Sequence, residues 1–152
     1  MKLAISLFLP MFLLNALAAG AADMALEAKL VWGTNDDKTD ANCKPVDADL
    51  AGKLHGMFKW KNYYEITNRT AMMPLDQMCD LKMSDRCTLK LKNVGESRIE
   101  VHCIGQGKQV HEGAYMLAPT AWVVLGGNCT NNTAWFIGLR AVDDSKRAVT
   151  KN

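Results

Sequence analysis

Residues 88–142, TLKLKNVGESRIEVHCIGQGKQVHEGAYMLAPTAWVVLGGNCTNNTAWFIGLRAV, decide the fold. Apolar and polar side chains alternate through Thr88–Lys92, Arg98–Ile104, Gln109–Leu117 and Ala134–Val142, the period of strands with one buried face. Ala121–Leu125 is apolar throughout and reads as a central strand buried on both faces. Between two of the runs, Gly105-Gln106-Gly107-Lys108 reads as a hairpin turn. Closing it with Gly105 opposite Lys108 sets Cys103 against Val110 and His102 against His111, with Ile99, Val101 and Cys103 on the core side. The same register puts Glu112 on the core side, which counts against it, because an unpaired carboxylate is costly to bury.

Upstream, Ala28–Gly33 reads as a first strand with Leu30 and Trp32 on one face, followed by a polar loop over Thr34–Asn42. Asp47 suits an N-cap, and Leu50, Leu54 and Met57 or Phe58 recur at helical spacing, so a helix is expected over Ala48–Phe58. Gly52 and Gly56 each weaken that helix by about 1 kcal/mol relative to Ala. A further strand, Tyr63–Asn68, would turn Tyr64 and Ile66 inward and Tyr63 and Glu65 outward. The expected fold is mainly β (α+β): a small antiparallel β-sandwich or partly closed barrel with one packed α-helix.

The chain starts with Lys2 ahead of an apolar run, Leu3–Leu14, and then the small residues Ala16–Ala22, the pattern of a cleaved secretory signal peptide. The run is shorter than the roughly 20 residues of a membrane span, so no span is expected in the mature chain. The expected organisation is a signal peptide over residues 1–22, one β-rich domain over 23–142 and a flexible charged tail over 143–152. This predicts an exported protein, periplasmic or secreted. Cleavage takes Lys2 from the 18 Lys and Arg and leaves 17 against 16 Asp and Glu, a net charge of +1. That balance offers no electrostatic surface for nucleic acid.

Five cysteines follow the signal: Cys43, Cys79, Cys87, Cys103 and Cys129. Export makes them disulfide formers, and Cys79 with Cys87, flanking a turn near Met83-Ser84-Asp85, is the expected local pair. Three groups carry chemistry. Lys59-Trp60-Lys61-Asn62-Tyr63-Tyr64 interleaves aromatics with lysines, so Trp60 and Tyr63 form a candidate contact surface for an envelope or extracellular protein partner, weighed against simple packing. Met72, Met73, Met78 and Met83 cluster with Cys79, soft ligands suited to copper(I) but also common fillers of irregular cores. His102, His111 and Glu100 share one solvent face in the register above, a candidate metal site that a one-residue slip would dissolve. No cofactor motif is present: Gly126-Gly127 lacks the residues of a phosphate-binding loop.

Leu30-Val31-Trp32-Gly33-Thr34-Asn35, the run Phe58-Lys59-Trp60-Lys61-Asn62-Tyr63-Tyr64, and the late strands around Gly126-Gly127 and Phe136-Ile137-Gly138-Leu139 together resemble small exported bacterial β-rich proteins of uncharacterised function. The resemblance implies a leading strand, a helix ending in an aromatic run and a Gly-punctuated meander, and it implies a cell-envelope address. The leading expectation is a non-catalytic binding or structural module of the envelope or extracellular space. The alternative is an exported metal-binding protein using the His pair or the Met/Cys cluster. A small hydrolase stands third, because no motif places a nucleophile beside a histidine.

Overall fold

Met24–Thr34 (β1) is the strand on which the molecule is built. Its eleven residues pair antiparallel with Asn62–Met73 (β3) on one edge, and Leu26–Thr34 pair with Thr133–Ala141 (β9) on the other. The computed structural model describes residues 23–37, 43–126 and 133–143. The expected signal peptide, Cys129 and nearly all of the expected tail lie outside the described residues.

The remaining elements are Lys44–Pro45 (β2), the helix Ala48–Met57 (α1), Met78–Ser84 (β4), Cys87–Gly95 (β5), Arg98–Gly105 (β6), Lys108–Met116 (β7) and Val123–Gly126 (β8). They form two antiparallel sheets, one ordered β2-β3-β1-β9-β8 and the other a simple meander β4-β5-β6-β7. The sheets face each other as a sandwich and do not close into a barrel. Leu26, Ala28 and Leu30 from β1 and Ile137 and Leu139 from β9 meet Leu89, Leu91, Ile99, Val101 and Cys103 from the meander. Every one of these is buried, and the alternation of the strands puts them all on inner faces.

The helix adds a third layer, on the outer face of the larger sheet. Asp47 caps it as expected, its Oδ1 accepting from the Leu50 amide at 3.0 Å. Leu50 and Leu54, one turn apart, are fully buried against Val31, Tyr63, Trp122 and Phe136. Gly52 and Gly56 meet nothing within 4 Å of where a Cβ would stand, so they lie on the helix's open side and leave its packing face intact. Because α1 covers one face and the meander the other, β1 is buried on both.

Two strand expectations are corrected by this layering. Ala121–Leu125 is not a central strand: β8 pairs only with β9 and forms the sheet edge. Its apolar character comes from Leu125 facing the meander while Trp122 faces the helix layer. The inward and outward sides of β3 also differ from expectation. A bulge between Leu30 and Val31 takes Ile66 out of the pairing, so Ile66 is 52% exposed while Tyr63 and Tyr64 are both buried.

The expected hairpin at Gly105–Lys108 forms, and the β5–β6 turn is built the same way. Gln106 (φ 51°) and Gly107 (φ 77°) both occupy the left-handed region, as do Glu96 (φ 52°) and Ser97 (φ 59°) between β5 and β6. Paired positive φ values give the twist that tight hairpins need.

Candidate functional site

The hairpin of β6 and β7 begins in the anticipated register, with Gly105 opposite Lys108 and Ile104 opposite Gln109. A bulge then intervenes, Val110 is left without a partner, and Cys103 pairs with His111. One extra residue exchanges the faces of everything beyond it. Glu112 therefore moves to the solvent face opposite His102, and His111 turns to the inner side, where it hydrogen-bonds to the Tyr115 hydroxyl. This corrects the metal expectation: His102 and His111 lie on opposite faces of the sheet, so with Glu100 they do not form a ligand set. Nδ1 of His102 lies 3.3 Å from Gln109 Oε1 and 4.0 Å from Glu112, in a solvent-facing row Asp80, Lys90, His102, Glu112 across four strands. Among the described residues no group of three or more His, Cys, Asp or Glu side chains is placed to hold a metal ion.

The other expected sites dissolve for equally local reasons. Cys79 pairs with Leu91 and Cys87 with Ser84, so the β4–β5 ladder holds the two thiols four residues apart along β5. Both are free, which corrects the Cys79–Cys87 disulfide. Met73 and Met83 are core residues between the sheets, whereas Met72 and Met78 are exposed, so the methionines do not gather around one point. Tyr63 is 4% exposed, donates to the Leu54 carbonyl at 3.3 Å and packs on Phe136 and His55, and Trp60 packs on the same cluster. The Trp60 and Tyr63 contact surface is thereby corrected to packing that seats the helix exit. Burial pushes the Tyr63 phenol up from its ordinary value.

Two groupings appear that sequence reasoning did not anticipate. The first lies under the N-terminus of α1. Lys29, 5% exposed, places Nζ 2.7 Å from Asp47 Oδ2, 2.8 Å from Glu65 Oε2 and 3.6 Å from Glu27 Oε1. Arg140 closes the cluster on Glu27 at 2.7 Å and lies 4.3 Å from the Trp122 ring centroid. Every charge there has an opposite charge in contact, so the cluster is a fastening of helix to sheet. The alternation of Glu27 and Lys29 was the visible signal. What it lacked was any hint that Asp47 and Glu65 come to the same face.

The second grouping is a cleft of about 630 Å³ between the sheets, at the end where the β4–β5 and β6–β7 turns meet the rim of β8. Leu30, Trp135 and the bulged Val110 supply apolar walls, and Cys87 also lines it. Gly105 and Gly126 line it with backbone; a Cβ at Gly105 would press on Val110 at 3.3 Å, and one at Gly126 would turn to Phe58 and Phe136 in the helix layer. Arg86 and Lys108 stand at its edge, both exposed. Neither has a carboxylate partner among the described residues, and no Asp or Glu is among the described residues that line the cleft. Asp85, next to Arg86, is taken by Lys82 at 2.8 Å.

The class defined by this geometry is a helix-backed antiparallel β-sandwich with an open, cation-edged cleft between its sheets. No family model matches the chain, nor does any curated protein or solved structure.

Proposed function

We propose that this is an exported, non-catalytic binding module of the cell envelope or extracellular space, and that the cleft takes a small organic anion with an apolar body. The observation that carries the reading is the pairing of two cations unopposed among the described residues, Arg86 and Lys108, with the apolar walls Leu30, Val110 and Trp135. An apolar body gains from leaving water against those walls, while an anionic group gains charge-assisted hydrogen bonds at the edge. The volume falls within the range of about 300–1,000 Å³ typical of small-molecule sites. The histidines are engaged elsewhere, His102 with Gln109, His111 with Tyr115 and His55 against Tyr63, which favours binding over acid–base chemistry. Export rests on the Lys2, Leu3–Leu14 and Ala16–Ala22 pattern.

Anilinonaphthalene sulfonate, an apolar anion that fluoresces when shielded from water, tests the cleft. The wild-type protein is expected to bind it saturably, with decanoate competing. Arg86→Ala with Lys108→Ala should weaken binding about a hundredfold, because each lost charged contact is worth about 1.5 kcal/mol and every 1.4 kcal/mol is about tenfold. Circular dichroism checks that the double variant keeps its fold. Equal binding by the folded double variant overturns the proposal. Intact mass of the chain from the exported fraction tests the address: loss of the first residues through about Ala22 supports it, and an uncleaved cytoplasmic chain refutes it.

A further inference from the structure

The function proposed above leaves one chemical feature unassigned, a pair of thiols of which Cys87 lines the cleft. Cys87 on β5 lies opposite Gly105, and Cys103 on β6 lies opposite Leu89. They are thus diagonal neighbours on the inner face of two paired strands, and their sulfurs are 3.9 Å apart. Diagonal cross-strand neighbours ordinarily stand about 7–8 Å apart, just beyond the roughly 6.8 Å of Cα separation that a disulfide spans, so closing the 3.9 Å between these sulfurs to a bond draws the two strands slightly together. Cys87 borders the cleft, while Cys103 is 1% exposed and sits behind it. Directly across from Cys87 is Gly105, which brings no side chain of its own, and Val110 packs where its Cβ would stand.

The geometry points to Cys87 and Cys103 as an oxidisable dithiol that closes to an intramolecular disulfide by exchange with a disulfide entering the cleft, Cys87 attacking and Cys103 resolving. The Cys87 thiol loses its proton, and its thiolate attacks one sulfur of the incoming disulfide, breaking that S–S bond and releasing one thiolate. Cys103, deprotonated in turn, attacks the Cys87 sulfur of the mixed disulfide and expels the second thiolate. The two protons end on the two released thiols. The protein dithiol has lost two electrons and the incoming disulfide has gained them.

The division of roles follows from access, and the thiol chemistry agrees with it. The hydrogen bond from Cys103 stabilises a thiolate at Cys87 and holds that group below the ordinary thiol range. The same hydrogen bond, with burial, pushes Cys103 up, so it reacts second, when the mixed disulfide beside it offers a leaving group. Cys43 and Cys79, partly exposed and not within reach of another thiol among the described residues, have no such resolving neighbour. This inference is independent of which anion the cleft holds, since it needs only that a disulfide can reach Cys87.

Glutathione disulfide is the probe. Purified, reduced full-length protein is incubated with it, remaining thiols are blocked with iodoacetamide, and the digest is read by mass spectrometry. The expected product is a peptide pair joined through Cys87 and Cys103, with neither residue alkylated. Cys103→Ser should instead accumulate glutathione on Cys87, and Cys79→Ala should leave the Cys87–Cys103 link unchanged. If Cys103→Ser fails to fold, the wild-type map alone decides. Alkylation of both Cys87 and Cys103 after the incubation overturns the inference, as does a link from either one to any other cysteine. Loss of anion binding in Arg86→Ala, Lys108→Ala with the disulfide still forming would separate the two readings.

Discussion

Phe136→Ala is expected to lower the free energy of unfolding by about 3–5 kcal/mol, the range for removing a buried aromatic. Phe136 is 2% exposed and stands on the helix side of β9, where it joins all the parts of the outer layer. Its ring centroid lies 4.5 Å from that of Phe58 at the helix exit and 5.9 Å from that of Tyr63 on β3. Gly33 on β1 approaches it so closely that a Cβ there would be 2.9 Å from the ring. Backbone on one side and two aromatic rings on the other limit how far the hole can collapse, which places the cost toward the upper end of the range. Urea denaturation followed by tryptophan fluorescence measures it. A loss below about 1 kcal/mol would show that the helix layer settles into the space, contrary to this account.

Most of the strand pattern was legible because alternation is a local signal. The runs at Thr88–Lys92, Arg98–Ile104, Gln109–Leu117 and Ala134–Val142 correspond to β5, β6, β7 and β9, with no boundary moved by more than three residues. Asp47 and the Leu50, Leu54 spacing located α1 for the same reason: a cap and a turn-by-turn apolar stripe lie within a dozen residues of one another. What alternation cannot carry is the count of residues between paired strands. The bulges at Val110 and Ile66 each add one residue without a composition mark, and each reverses the faces of a whole segment. Glu112 did carry a trace of the first, since a strict hairpin buries it and the bulge releases it.

The centre of the larger sheet was misplaced for a different reason. Ala121–Leu125 is more apolar than β1, yet β1 is the central strand. Lys29 and Glu27 make β1 look half solvated, although Lys29 is buried and the Glu27 side chain is 13% exposed. A charged residue can occupy a central strand when its counter-charges arrive from other elements, and those partners lie as far as 113 residues away in the chain. The cleft was invisible for the same kind of reason. Arg86, Lys108, Leu30 and Trp135 come from four separate segments, and only the meeting of the two sheets brings them to one rim.

Replacing Lys29 by methionine tests the fastening directly, and a loss of about 3–5 kcal/mol is expected, as for other buried charges deprived of a partner. Methionine keeps an unbranched apolar stem of similar length, so the loss reports the ammonium group. Its removal leaves the Glu65 side chain, 8% exposed, with Lys44 as its remaining cation, a residue whose own side chain is 71% exposed. Asp47 loses the bond on Oδ2 while still capping α1 through Oδ1. Lys29→Met with Glu65→Gln should recover part of the loss, because the second change removes the stranded charge; equal or additive losses in the double variant would refute a direct coupling. The pH dependence has a definite sign. Burial alone would raise the carboxyls of Asp47 and Glu65, but bonds from Lys29, with the Leu50 amide helping at Asp47 and Lys44 at Glu65, hold both below their ordinary values of 3.8 and 4.5. Their contribution is present above those values and is lost as pH falls through the depressed ones. For Lys29 burial acts to lower the value, and the bonds to Asp47 and Glu65 outweigh it, so it lies above 10.5. Its contribution is complete below 10.5 and is lost as pH climbs through the raised value. Stability of the wild type should therefore fall at both ends of the pH range, and in Lys29→Met the alkaline fall should shrink and the acid slope flatten. Unfolding midpoints measured from about pH 3 to about pH 11 decide it: parallel profiles for the two proteins would mean that Lys29 does not hold these carboxylates together.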